Sequence, residues 1–133
     1  MATQTSLPFT FPEGTSAEIS WAFQDAGDVA VQNAALETAT ITLYDVESDS
    51  IINSRDGQDI LGLDKSGTNN VAITSGGVAT WYVQPDDNPM IGTAEIEEHI
   101  ALVEWTWDPD DGHGIRAGKF EIVIRVDNLH RVP

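Results

Sequence analysis

Ile100-Ala101-Leu102-Val103-Glu104-Trp105-Thr106-Trp107, then Asp108-Pro109-Asp110-Asp111-Gly112, then Lys119-Phe120-Glu121-Ile122-Val123-Ile124-Arg125-Val126, is the stretch that decides the fold. In the first run Ala101, Val103, Trp105 and Trp107 fall on one side of an extended chain, and in the second Phe120, Ile122, Ile124 and Val126 do the same. Side chains of a strand alternate between two faces, so apolar residues at every second position mark a strand with one face buried. Asp, Pro and Gly between the runs bond their own backbone, preset φ or permit a positive φ, and so supply a turn. The two runs read as an antiparallel hairpin.

Working outward, the same period recurs. Thr38 to Tyr44 turns Ala39, Ile41 and Leu43 inward, and β-branched residues favour its extended form. Ala17 to Phe23 does so with Ile19, Trp21 and Phe23. Val71 to Thr74 and Val78 to Gln84 flank Ser75-Gly76-Gly77, a link that suits a hairpin, with Ala79, Trp81 and Val83 on one face of the second run. Weaker strands are expected over Asp28 to Val31 and Ser50 to Ile52. Thr93 to His99 resembles one capped, acidic helical turn. Seven to eight short strands with turns between them, and no βαβ spacing, imply an all-β protein built as an antiparallel β-sandwich. Residues 1–12 read as an extended N-terminal arm and 13–133 as one domain. Leu7, Phe9 and Phe11 alternate along the arm and could add a strand to the sheet edge of another chain.

A chain of 133 residues, 41% hydrophobic, is long enough for one core without a metal or a bridge. It has no cysteine, so disulfides, thiolate zinc sites and cysteine nucleophiles are excluded. Met1 to Thr10 lacks both a basic stretch and an apolar core, and no apolar run reaches the roughly 18 residues of a bilayer span, so a soluble, unprocessed product is expected. Six Lys and Arg against 22 Asp and Glu give a formal charge of −16, which opposes nucleic-acid and anionic-membrane partners. The charge is uneven. Arg116, Lys119, Arg125 and Arg131 against Glu121 and Asp127 leave residues 112–133 at +2, whereas Arg55 and Lys65 are the two cations among the other 111 residues. A basic end on an acidic body could dock on the acidic face of a neighbouring copy.

Candidate chemistry is sparse. Asp108 to Gly112 imitates the opening of a calcium loop, but its glycine stands fifth rather than sixth, and Lys119 occupies the position that needs a bidentate carboxylate. Asp86-Asp87-Asn88-Pro89 could join it in a weak divalent site if the two loops met, although turn chemistry accounts for both. His99, His113 and His130 are too widely spaced for a local zinc motif. No serine has a nucleophile-elbow setting, and no glycine-rich loop joins a strand to a helix. No catalytic, cofactor or metal residue is therefore assigned. Trp21, Trp81, Trp105 and Trp107 alternate beside Phe23, Val83 and Val103, which makes them core residues; one left exposed would suit an interface or a sugar.

A resemblance runs through the segment order. Pro8-Phe9-Thr10-Phe11, Glu13-Gly14-Thr15, Ile19 to Gly27, Ala39 to Asp45, Asn70 to Thr74 and Gly77 to Val83 together resemble the Ig-like domain at the N-terminus of phage baseplate upper proteins, over about residues 8–127. The resemblance implies an Ig-like sandwich, a virion structural module and no active site. In that family the domain leads into further baseplate sequence, whereas this chain stops at Leu129 to Pro133, and residues 108–116 form a longer loop. A standalone domain of this kind implies a capsid decoration (cement) protein that binds the major capsid protein, in a virion assembled in the host cytoplasm. The alternative is a tail or baseplate accessory protein with a receptor or carbohydrate role. By the same analogy the expected partners are capsid or tail proteins and further copies of the chain, a trimer among them. Leu7, Phe9, Phe11, Arg116, Arg125 and Arg131 are the candidate interface residues.

Overall fold

The structure, a computed structural model, describes residues 2–5, 8–25 and 27–128. Nine strands and two single 3-10 turns, Asn33–Ala35 and Pro85–Asp87, make up the regular structure, and no α-helix occurs among the described residues. The strands are β1 (Ala2–Thr5), β2 (Phe9–Pro12), β3 (Ala17–Ala22), β4 (Leu36–Asp45), β5 (Gln58–Asp59), β6 (Val71–Ile73), β7 (Val78–Val83), β8 (Ile96–Trp107) and β9 (Arg116–Asp127). They form two sheets. The larger runs β9-β8-β4-β5, with β1 and β2 in turn along the free side of β9, and the smaller runs β3-β7-β6. Pairing is antiparallel except for β1 and β2, which run parallel to β9. The architecture is all-β and consistent with a β-sandwich.

The period-two faces meet in one core. Ala39, Ile41 and Leu43 of β4, Ala101, Val103, Trp105 and Trp107 of β8, and Ile122, Ile124 and Val126 of β9 are buried from the larger sheet. Ile19, Trp21, Ala79, Trp81, Val83, Val71 and Ile73 are buried from the smaller one. Phe23 meets Trp105 edge to face at 5.2 Å, and Trp21 lies 6.3 Å from Phe120, so aromatic pairs join elements of the two sheets, each contributing about 0.5–1.5 kcal/mol beyond its buried area. All four tryptophans are buried, and no exposed indole remains for stacking on a sugar. Gly118 faces Trp105 across the β8–β9 ladder, where an added Cβ would sit 2.6 Å from the indole.

Three local expectations are corrected. Asp28 to Val31 is not a strand. Asp25 Oδ1 accepts the N–H groups of Gly27 and Val29, and Asp28 has φ +61°, so the chain folds into a turn that leaves one bridge, Gln24 to Ala30. Ser50 to Ile52 reduces to the bridge Tyr44 to Ile51, because Asn53 and Ser54 follow at φ +54° and +57°, a conformation no strand sustains. Thr93 to His99 is not helical. Ile96 onward is extended in register with β9, and the Glu97 side chain accepts the N–H groups of Ile91 and Gly92 instead of capping a turn.

A buried ion pair closes one side of the fold. Arg55 is 2% exposed and Asp87 fully buried, 2.6 Å apart. All five guanidinium N–H positions are used: two on Asp87, one each on the side chains of Gln58 and Asn70, and one on the carbonyl of Asn69. Asn53 and the Gln84 N–H complete Asp87, and the guanidinium lies 5.6 Å above the ring of Trp81. Removing one partner of such a pair strands a buried charge, whereas replacing both with apolar groups removes the penalty. Arg55→Met is expected to lower unfolding free energy in urea by about 3–5 kcal/mol, and Arg55→Met with Asp87→Leu to regain most of that loss.

Candidate functional site

The arm is placed by main-chain pairing. Phe9, Thr10, Phe11 and Pro12 stand opposite Ile124, Arg125, Val126 and Asp127, and Ala2 to Thr5 opposite Gly118 to Glu121, so the start of the chain forms the rim of its own larger sheet. Phe9 and Phe11 are half-buried, stacked 6.0 Å apart, and packed against the core. Beyond the arm, the Glu13 N–H binds the Asp127 carbonyl, and Gly14 N–H and Thr15 carbonyl bind Asn88, which is buried. Leu7 lies outside the described residues. Phe9→Ala together with Phe11→Ala is expected to cost about 1–2 kcal/mol per ring, below the 3–5 of a fully buried one, and to speed amide exchange in the outer half of the sheet ahead of β4.

Of the candidate docking charges, Arg116 is paired with Asp111 at 2.7 Å and Arg125 with Glu98 at 3.6 Å, both pairs exposed, and Arg131 lies outside the described residues. Lys119 meets Glu104 in a third exposed pair at 3.4 Å. Such pairs contribute at most about 1 kcal/mol and re-form readily with other carboxylates. The acidic loops are turns. Asp108 accepts the Asp110 N–H; Asp111 accepts the N–H of His113 and then the Arg116 guanidinium, and the two hold its carboxyl below the usual carboxylate range. Asp87 is committed to Arg55, so the two acidic clusters do not share a site built on it.

Two strands carry their inward stripe further than hydropathy suggests. On β8 the face of Trp107, Trp105, Val103 and Ala101 continues through His99 to Glu97, and on β4 the face of Ala39, Ile41 and Leu43 continues to Asp45. Asp45 is the register partner of His99, which is opposite Ile124, which is opposite Phe9. A single row across the sheet therefore reads Asp45, His99, Ile124, Phe9, with Glu97 one inward position along. His99 is fully buried, and Asp45 and Glu97 nearly so. Local sequence motifs assign none of the three a role. The signal was present in Glu97-x-His99 at strand spacing, provided that the alternation is followed past the last apolar residue.

Tyr44 stands beside Asp45 on the opposite face of β4. Its burial, with Glu121 and Asp49 adding negative charge, raises its hydroxyl above the ordinary value of 10.0. A raised folded-state pKa contributes stability that is complete below the unfolded value and is lost as pH rises through the folded one. Stability is thus expected to fall above about pH 10, and Tyr44→Phe to flatten that fall in denaturation midpoints measured from pH 8 to 11.

No family model, curated protein or solved structure matches the chain. The class defined by its own fold is an all-β chain of two facing sheets whose N-terminal residues close the rim of one of them.

Proposed function

We propose that this chain is a non-enzymatic structural component of a phage virion, with an Ig-like sandwich, acting as a capsid decoration protein that binds the major capsid protein. The observation that carries the reading is the arm. Residues 9–12 are held to β9 by parallel main-chain pairing and by two half-buried phenylalanines, at the rim of a sheet in which β4, β5, β8 and β9 pair antiparallel. Main-chain pairing is indifferent to which chain supplies the strand, so an arm of this kind can also be exchanged onto a neighbour's edge. The likeness of segments within residues 8–127 to the N-terminal Ig-like domain of baseplate upper proteins supports the virion setting, as a fold-level analogy. A formal charge of −16 supports an outward-facing, solvated surface that keeps particles apart by like-charge repulsion.

The test is co-sedimentation of the purified protein with undecorated head particles assembled from the major capsid subunit encoded alongside it. Saturable binding at regular sites is expected, weakened at least ~10-fold by Phe9→Ala with Phe11→Ala. Absence of binding to heads, with immunogold labelling on tails of intact particles, would replace this reading by the tail or baseplate one.

A further inference from the structure

We propose that Asp45, Glu97 and His99 form a binding site for a divalent first-row transition-metal ion, with Zn²⁺ the species the donor set fits best. This goes beyond the virion reading and does not rest on it. The three side chains come from the adjacent strands β4 and β8, and one oxygen or nitrogen of each lies within 4.8 Å of the others. His99 Nε2 is 2.9 Å from Glu97 Oε1 and 3.6 Å from Asp45 Oδ1. Donors bound about 2.1 Å from one ion stand about 3.0 Å apart at octahedral angles and about 3.4 Å apart at tetrahedral ones, and the two separations from His99 Nε2 bracket these values.

The remaining atoms of the carboxylates are fixed as ligand-supporting groups usually are. Asp45 Oδ2 accepts the Ser48 N–H at 2.9 Å and the Ser48 hydroxyl at 2.6 Å, Glu97 Oε2 accepts the Gly92 N–H, and Glu97 Oε1, the oxygen beside His99, also accepts the Ile91 N–H. An added Cβ at Gly92 would lie 3.0 Å from Glu97 Oε2, so the 91–92 backbone approaches closely because that residue is glycine. In contrast, Asp45 Oδ1 accepts no hydrogen bond among the described residues although Asp45 is only 4% exposed, and the oxygen points toward the shared centre. His99 is likewise wholly buried, and its Nε2, the nitrogen that faces both carboxylates, is the atom it would offer an ion.

Charge gives the same answer. Two buried carboxylates face one imidazole, whose Nε2 lies within hydrogen-bond distance of Glu97 but not of Asp45. A divalent ion at the shared centre would contact all three side chains and offset the charge of both carboxylates. Imidazole nitrogen with carboxylate oxygen favours Zn²⁺ and its first-row neighbours over Mg²⁺ and Ca²⁺, which prefer all-oxygen shells. Access exists, since a cavity of about 350 Å³ lined by Glu47, Ser48, Ile91, Gly92, Thr93 and Ala94 reaches Asp45 and Glu97, leaving room for water on the open coordination positions.

The test titrates the metal-free chain with Zn²⁺ by calorimetry, in millimolar Mg²⁺ so that surface acids are occupied. One ion per chain is expected, bound more tightly than about 10 µM, with loss of about 100-fold or more in Asp45→Asn and His99→Gln. The Co²⁺-loaded wild-type chain should show a hyperfine-shifted imidazole resonance in its proton NMR spectrum, retained when the other histidines are removed by His113→Gln with His130→Gln. Wild-type protein that shows no one-to-one binding overturns the proposal, as do variants that bind like wild type. If either variant fails to fold, the Co²⁺ spectrum decides alone: no shifted imidazole, or one lost with His113 and His130, also overturns it.

Discussion

The guanidinium of Arg55, enclosed with the carboxylate of Asp87, is the contact on which the rest of the structure most depends. It belongs to the loop after β4 and supplies donors to Gln58 of β5, to the 69–70 turn and to the 3-10 turn after β7. A sandwich of short strands has few means of fixing its long connections, because these carry little apolar surface of their own. A charge with five fixed donors does so by geometry: each acceptor must arrive in place or a buried polar group is left unmatched. The face of Trp81 under the guanidinium ties this polar knot to the hydrophobic core, so the loops and the sheets settle together.

The sequence showed the sheets better than the loops. Every strand with clean alternation of apolar residues lies where its period puts it, and the hairpins across Ser75-Gly77 and Asp108-Gly112 pair as read. By hydropathy the runs end at Tyr44 and Ile100, beside ionisable residues, yet Asp45, His99 and Glu97 occupy the next inward positions. Hydropathy cannot separate a buried ionisable group from a solvated one; only continuing the period through it can. Arg55 was visible as one of two cations in an acidic body, but its partner lies 32 residues away, at a distance no local pattern reports. β5 is two residues long, held by the register of β4 rather than by any preference of Gln58 or Asp59.

The rims of the two sheets are treated differently. One side of the larger sheet is closed by the N-terminal arm and the other by the short β5, while in the smaller sheet β3 pairs with β7 alone. The arm, the proposed metal centre and the core are also joined in one cross-strand row from Phe9 through Ile124 and His99 to Asp45. A change of side-chain position at His99 would therefore be felt by the packing under Phe9 through a single intervening isoleucine.

The parallel sense of β1 and β2 has a mechanical meaning. Ala2 lies beside Gly118, near the start of β9, and Asp127 is the last residue of that strand, so the two points stand near opposite ends of the ribbon, about 30 Å apart. A pull that separates them loads the rungs between arm and β9 lengthwise and all at once, in shear, rather than peeling them one after another. Tension along the ribbon would then meet the summed resistance of the whole ladder.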